Sequence, residues 1–212
     1  AFSVFIGAFS THFDETYPRV ILGDAYVDLT LENIESGDPM AIYKSQSSET
    51  MFFAITINNI SVATKTFASG IILIIGSLYY LFFNGIMLGA FQYFFVREGL
   101  FLESFLSIWI HGMLEISSIV IAGTAGVVVG RSLLFPGSYS RIDSLVKHAK
   151  DAFKIFMGTI PLFVIAGFLE SYITRLTEAS NYVKLFIILS SLGFILWYFV
   201  VLPIVLRKKL EH

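Results

Sequence analysis

His111 and Glu115 stand four residues apart inside an apolar run from Phe101 to Phe135. On a helix that spacing puts an imidazole and a carboxyl on one face, and ionisable groups in such surroundings are costly to keep without a partner or a task. Three kinds of chemistry fit the pair. It can hydrogen-bond neighbouring helices as polar glue. It can bind or relay a proton, an ion or a small polar substrate. It can also give two ligands to a divalent metal such as zinc, with Glu170 as the third. The second histidine of the zincin pattern is missing here, and no motif names a catalytic water, so residue types alone leave the three readings open and assign no catalytic residue.

Other polar side chains in apolar surroundings are Asn58, Asn59 and Asn84. At ~1.5 Å rise per residue, Asn58 sits about 12 Å below the outer surface, and His111 comes down about as far from its own end. Glu115 is one turn deeper, Asn84 is comparable to it, and Glu170 approaches nearer the outer end. Asn58, Asn59, Asn84, His111, Glu115 and Glu170 are therefore expected to converge on a cavity in the outer half or near the middle of a membrane. A carboxylate there needs a proton, a donor such as His111 or an asparagine amide, or a bound cation.

The composition calls for that membrane. Of the 212 residues 56% are hydrophobic and only 14% charged, with 22 Phe, and the mean hydropathy is +0.77. Such a chain is too apolar for a soluble domain and reads as a polytopic, all-α transmembrane bundle. A net charge of −2 provides no basic surface for nucleic acid, and membrane lipid is the expected surrounding. The absence of cysteine removes disulfides, thiolate metal sites and a cysteine nucleophile.

Residues 11–50 form an acidic stretch, with Asp14, Glu15, Asp24, Asp28, Glu32, Glu35, Asp38 and Glu49 against Arg19 and Lys44. Within it, residues 26–34 predict a short amphipathic helix closed by Gly37 and Pro39, able to lie along the membrane surface. Five apolar blocks come next, at residues 51–68, 71–96, 101–129, 155–173 and 183–206, each near the ~20 residues a crossing needs. The first carries two amides and several hydroxyls. If it crosses, the cations Arg131, Arg141, Lys147, Lys150 and Lys154 share a side with Arg207, Lys208 and Lys209, opposite the acidic stretch, as the positive-inside rule asks. With the apolar opening at Phe2 to Phe9 read as the tail of a longer segment, this predicts about six membrane segments in one transmembrane domain. Arg97 and Lys184 are exceptions on the outer side. Leu210–His212 reads as a cloning scar before a histidine tag.

Gly85 and Gly89, and Gly126 and Gly130 with Gly123 upstream, are spaced for close helix contact. They motivate an expected homodimer. Phe135-Pro136-Gly137 breaks the helical run, and no repeat long enough for inverted transporter halves is visible. The aromatic clusters around Tyr79–Phe83 and Phe91–Phe95 read as lipid contact and interfacial anchoring.

Taken in order, Asn58-Asn59, Asn84-Gly85, Ile110-His111-Gly112-Met113-Leu114-Glu115-Ile116, Ala122-Gly123-Thr124-Ala125-Gly126, Phe135-Pro136-Gly137 and residues 166–174 resemble the motifs of the stage II sporulation protein M family. The resemblance covers nearly the whole chain, and its most specific part is the His-Gly-x-x-Glu element before the glycine-rich helix. It implies a multi-pass protein of the bacterial cytoplasmic membrane. It also implies a scaffold holding peptidoglycan-remodelling partners on the outer side. An envelope protein bound through the acidic stretch is thus the expected partner, with a transporter or channel, or a metal-dependent intramembrane enzyme, as the alternatives.

Overall fold

The computed structural model describes residues 1–39, 41, 47–174 and 180–210. Lys44 of the acidic stretch, and Glu211 and His212 of the tag-like end, lie outside the described residues. Among the described residues the regular structure is all helical. The helices are α1 (Phe2–Phe13), α2 (Tyr17–Leu22), α3 (Asp24–Glu35), α4 (Ser48–Ala68), α5 (Ile75–Arg97), α6 (Phe101–Leu134), α7 (Arg141–Phe168), α8 (Asn181–Leu196) and α9 (Leu202–Leu210). A π-helical turn, Leu169–Ile173, extends α7, and another, Trp197–Val201, joins α8 to α9.

Four of the described helices are long and apolar enough to cross a membrane, spanning Ile75–Arg97, Phe101–Leu134, Arg141–Ile173 and Asn181–Lys209. The chain is a multi-pass membrane protein. Helix α1 is apolar but short, and α4 is long enough but rich in amides and hydroxyls. The expected count of about six segments therefore depends on α1 and α4, whose own hydropathy does not mark them as crossings.

Helix α6 is the axis of the bundle. Ala63 of α4, Ile119 and Ala122 of α6, and Phe156 and Phe163 of α7 form one buried cluster. Ala125 and Val129 meet Ala152 one level inward, while Leu114 meets Leu162, Ala166 and Ile195 on the other side. This order makes α6 and α7 antiparallel. Helix α1 runs parallel to α5. A Cβ added at Gly85 would strike the Ser3 side chain, one at Gly89 the Val4 carbonyl, and one at Gly7 the Ile86 carbonyl. At the outer end Tyr93 Oη lies 2.5 Å from His12 Nδ1, and Arg97 pairs with Glu15 at 3.2 Å. One of the two outer cations is thereby matched. The glycines that motivated a homodimer are in contact within a single chain and do not argue for a second copy.

Three expectations are corrected. The cation-rich stretch before residue 155 is not a loop, because α6 continues to Leu134 and α7 begins at Arg141, with the Ser140 hydroxyl accepting from the Asp143 amide as N-cap. At 34 residues α6 is about 51 Å long, more than the ~30 Å of hydrocarbon, so the α6–α7 hairpin projects beyond the membrane on the cationic side. The block at 71–96 becomes α-helical only at Ile75, after a 3-10 turn over Ser69–Ile71. Leu73 and Ile74 take positive φ values of 47° and 76°, costly for a β-branched residue, and break the run. The amphipathic segment begins at Asp24 and ends at Glu35, and a second short helix, α2, precedes it.

Helix α3 lies over the outer end of α5, burying Val27 against Phe94 and Phe95. Asp24, Asp28, Glu32 and Glu35 face away and are exposed. Arg19 of α2 donates to Asp28 at 2.6 Å and to Asp24 at 3.4 Å, and these contacts raise its pKa, Asp28 foremost. Burying a carboxylate at Val27 costs about 2 kcal/mol or more. Val27→Asp is thus expected to release α3. Hydrogen exchange should rise across residues 24–35 while α6 and α7 stay protected, and unchanged exchange would show that this contact does not hold the helix.

Candidate functional site

A cavity of about 1250 Å³ lies between α1 and α5 on one side and α4 and α6 on the other. Asn58, Asn59, Asn84, His111, Glu115 and Glu170 all line it. Ile21, Leu22 and Tyr26 of α2 and α3 cover its outer end. Burial pushes the Tyr26 phenol up to about 12, so this lid group is a neutral hydroxyl at ordinary pH. Toward the inner side the walls are mostly apolar, with Ile75, Leu78, Phe82 and Val120 beside Tyr79. Leu78, Tyr79, Phe82, Met87 and Val120 are also exposed on the outside of the bundle, so the cavity opens on its flank.

The polar groups are concentrated on the α6 wall. His111 Nε2 lies 3.7 Å from Glu170 Oε1, with side chains only 5% and 13% exposed. Asn59 Nδ2 donates to Glu115 Oε1 at 2.5 Å. His111 Nδ1 faces the Thr174 hydroxyl at 3.3 Å, and Thr174 Oγ1 donates to the Leu169 carbonyl at 3.3 Å. One ligand atom from each of His111, Glu115 and Glu170 lies within 4.8 Å of the other two.

Each element contributes for a local reason. The i, i+4 spacing on α6 aims His111 and Glu115 at the same space. Gly112 between them adds no bulk, and the nearest atoms to a Cβ built there are the Ile108 and Ile116 side chains, both 3.8 Å away. Glu170 lies in the π turn that ends α7, and its carboxyl stands beside the histidine. Glu170 therefore sits level with His111 rather than nearer the outer end. On α4, Asn59 reaches Glu115, whereas Asn58 is exposed at the cavity wall. Asn84 Nδ2 donates to the Tyr80 carbonyl of its own helix at 2.8 Å, which leaves its carbonyl oxygen for the cavity.

Two parts of this arrangement carried no signal of their role in the sequence. Thr174 closes the motif at residues 166–174, yet only the fold sets its hydroxyl against the imidazole. Gln92, within an aromatic run, accepts from Trp109 Nε1 at 3.3 Å and donates to Ser104 at 3.1 Å, tying α5 to α6 near the outer end of the cavity.

The order of these groups along the chain agrees with one known family. The family model described as Stage II sporulation protein M matches residues 1–175. The chain belongs to this family. The matched span carries every polar residue around the cavity, including Thr174, and ends before α8. No curated protein and no solved structure matches the chain.

Proposed function

We propose that this member of the stage II sporulation protein M family is a binding and transfer protein of the bacterial cytoplasmic membrane that takes an amphiphilic molecule of the cell envelope. The observation that carries this reading is that Asn59, Asn84, His111, Glu115 and Glu170 line one 1250 Å³ cavity whose other walls are mostly apolar, with Asn58 and Ser3 as further polar groups. A polar group would sit against the carboxyls and amides, and a chain would lie along α5 through the lateral opening. Ligand pockets for drug-sized molecules run to about 300–1,000 Å³, so this one has room for more than an ion or a proton. Ile75, Leu78, Phe82 and Val120 offer nothing to replace the hydration of an ion moving inward, which disfavours a channel.

The test is to purify the protein in mild detergent and extract what stays bound. A defined amphiphile is expected at a substantial fraction of one equivalent in wild type, and about tenfold less in Glu115→Leu or Glu170→Leu, a loss of about 1.4 kcal/mol. Equal recovery of bulk lipid from all three would sink the reading.

A second reading is an envelope scaffold, and the exposed acidic face of α3 favours it. It predicts that an envelope protein co-purifies with wild type and is lost when Asp28, Glu32 and Glu35 are changed to lysine. Equal recovery from both would count against it.

A further inference from the structure

We infer that His111, Glu115 and Glu170 form a divalent transition-metal site at the polar end of the cavity, with one coordination position left open toward the cavity. The inference deepens the ligand reading but stands on separate observations.

The distances come first. Ligands about 2.0–2.1 Å from a tetrahedral zinc are separated by about 3.3 Å. The His111 Nε2 to Glu170 Oε1 distance is already 3.7 Å, and all three ligand atoms lie within 4.8 Å of one another. Rotamer adjustments of less than about 1 Å per atom bring them onto a common centre.

The supporting groups come second. Metal-bound histidine ordinarily donates its other ring N–H to a fixed acceptor, which sets its tautomer. Here the Thr174 hydroxyl faces Nδ1, and its own proton is committed to the Leu169 carbonyl. With that proton committed, Thr174 would accept from Nδ1–H in the tautomer whose Nε2 binds a metal. Asn59 likewise holds one oxygen of Glu115. The residues at hydrogen-bond distance from two of the three ligands are those that would hold them in place.

Charge comes third. Two carboxyls side by side at this depth share a proton or share a cation. A divalent ion neutralises both carboxylates and uses the imidazole as well, which a shared proton does not. Nitrogen among the donors selects zinc and its neighbours over magnesium and calcium. Three protein ligands with an open fourth position is the arrangement of a site that binds a further molecule, and the cavity provides its place.

The experiment uses tag-free protein in detergent, stripped with chelator and reloaded separately with zinc, cobalt and manganese, with bound metal counted by elemental analysis. Wild type is expected to hold about one equivalent of zinc, and His111→Ala and Glu170→Gln less than about a tenth. Thr174→Val should keep the stoichiometry at saturation but weaken affinity about 10–100-fold. Cobalt-loaded wild type should show the ligand-field bands of a four-coordinate ion, a readout that does not depend on any variant folding. Wild type with no zinc above background and no cobalt bands overturns the inference, as does zinc content unchanged in a folded His111→Ala protein. Metal without a retained amphiphile leaves this site standing and removes the ligand reading. An amphiphile without metal does the reverse.

Discussion

Gly112→Leu is expected to leave the protein folded and its cavity unable to hold a ligand. A Cβ at this position meets only ordinary contacts with Ile108 and Ile116, so the helix accepts it. Replacing glycine by leucine within a helix is favourable by roughly 0.8–1 kcal/mol on propensity alone. Gly112 lines the cavity, so the remaining carbons would project from the α6 wall into the space the ligand would occupy. A stability gain and a binding loss in one variant are hard to obtain from a site that is merely structural. Thermal unfolding in detergent should shift upward or stay level, while the retained amphiphile falls about tenfold or more, a change of about 1.4 kcal/mol. Unchanged retention in a stable Gly112→Leu protein would place the ligand elsewhere.

The opposite result is expected at Gly126, only fourteen positions further along the same helix. A Cβ there would collide with Ser77 Oγ and would stand 2.7 Å from the Phe67 carbonyl and 3.1 Å from the Thr66 carbonyl. Two of these obstacles are backbone at the end of α4, and the third is fixed by donating to the Thr66 carbonyl at 2.6 Å. Nothing flexible can give way. Gly70 and Gly130 complete the same contact, since a Cβ at Gly70 would strike the Gly126 carbonyl and one at Gly130 the Gly70 carbonyl. Overpacking a well-filled site costs typically 1–3 kcal/mol, and an obstacle made of backbone puts Gly126→Leu at about 3 kcal/mol or beyond. Against a total of about 5–15 kcal/mol that is a large share. Gly126→Leu should aggregate or unfold well below wild type in a detergent thermal-shift measurement. A wild-type unfolding profile would mean that the α4–α5 turn is not seated on α6 as described.

The parts of the fold that are legible in the chain divide from the rest along a physical line. The four-residue spacing of His111 and Glu115 survives any change in how helices pack, because both belong to one helix. The membrane class comes directly from composition, and small residues four apart do sit where backbones approach. The partner helices of those glycines were not legible, since a glycine records closeness without recording what is close. Helix ends were misread wherever hydropathy was the guide. Lys147, Lys150 and Lys154 end an apolar window, yet they are exposed side chains on a helix that continues through them. In a uniformly apolar run such as Ile71–Ile75 there is no periodicity to lose, so the left-handed turn at Leu73 and Ile74 leaves no trace. The π turn over Leu169–Ile173 is likewise unmarked by residue type. Glu170 lies within it, with its carboxyl 3.7 Å from His111 Nε2.

The acidic segment carries its own electrostatic detail. Thr16 donates to Asp14 from both its hydroxyl, at 2.7 Å, and its amide, at 2.8 Å, and the hydroxyl foremost holds the Asp14 carboxyl below its usual range. Thr16→Ala should raise that pKa toward the ordinary aspartate value, measured by carboxyl carbon titration of labelled protein. An unchanged titration would show that these bonds are not formed in solution.

The most direct measurement is an experimental density map of the protein in lipid nanodiscs. Elongated density is expected between α5 and α6, entering past Leu78 and Phe82 and ending within hydrogen-bond reach of Glu115, Glu170 or Asn59. Side chains collapsed across that space, with His111 and the two glutamates turned apart toward separate helices, would contradict it.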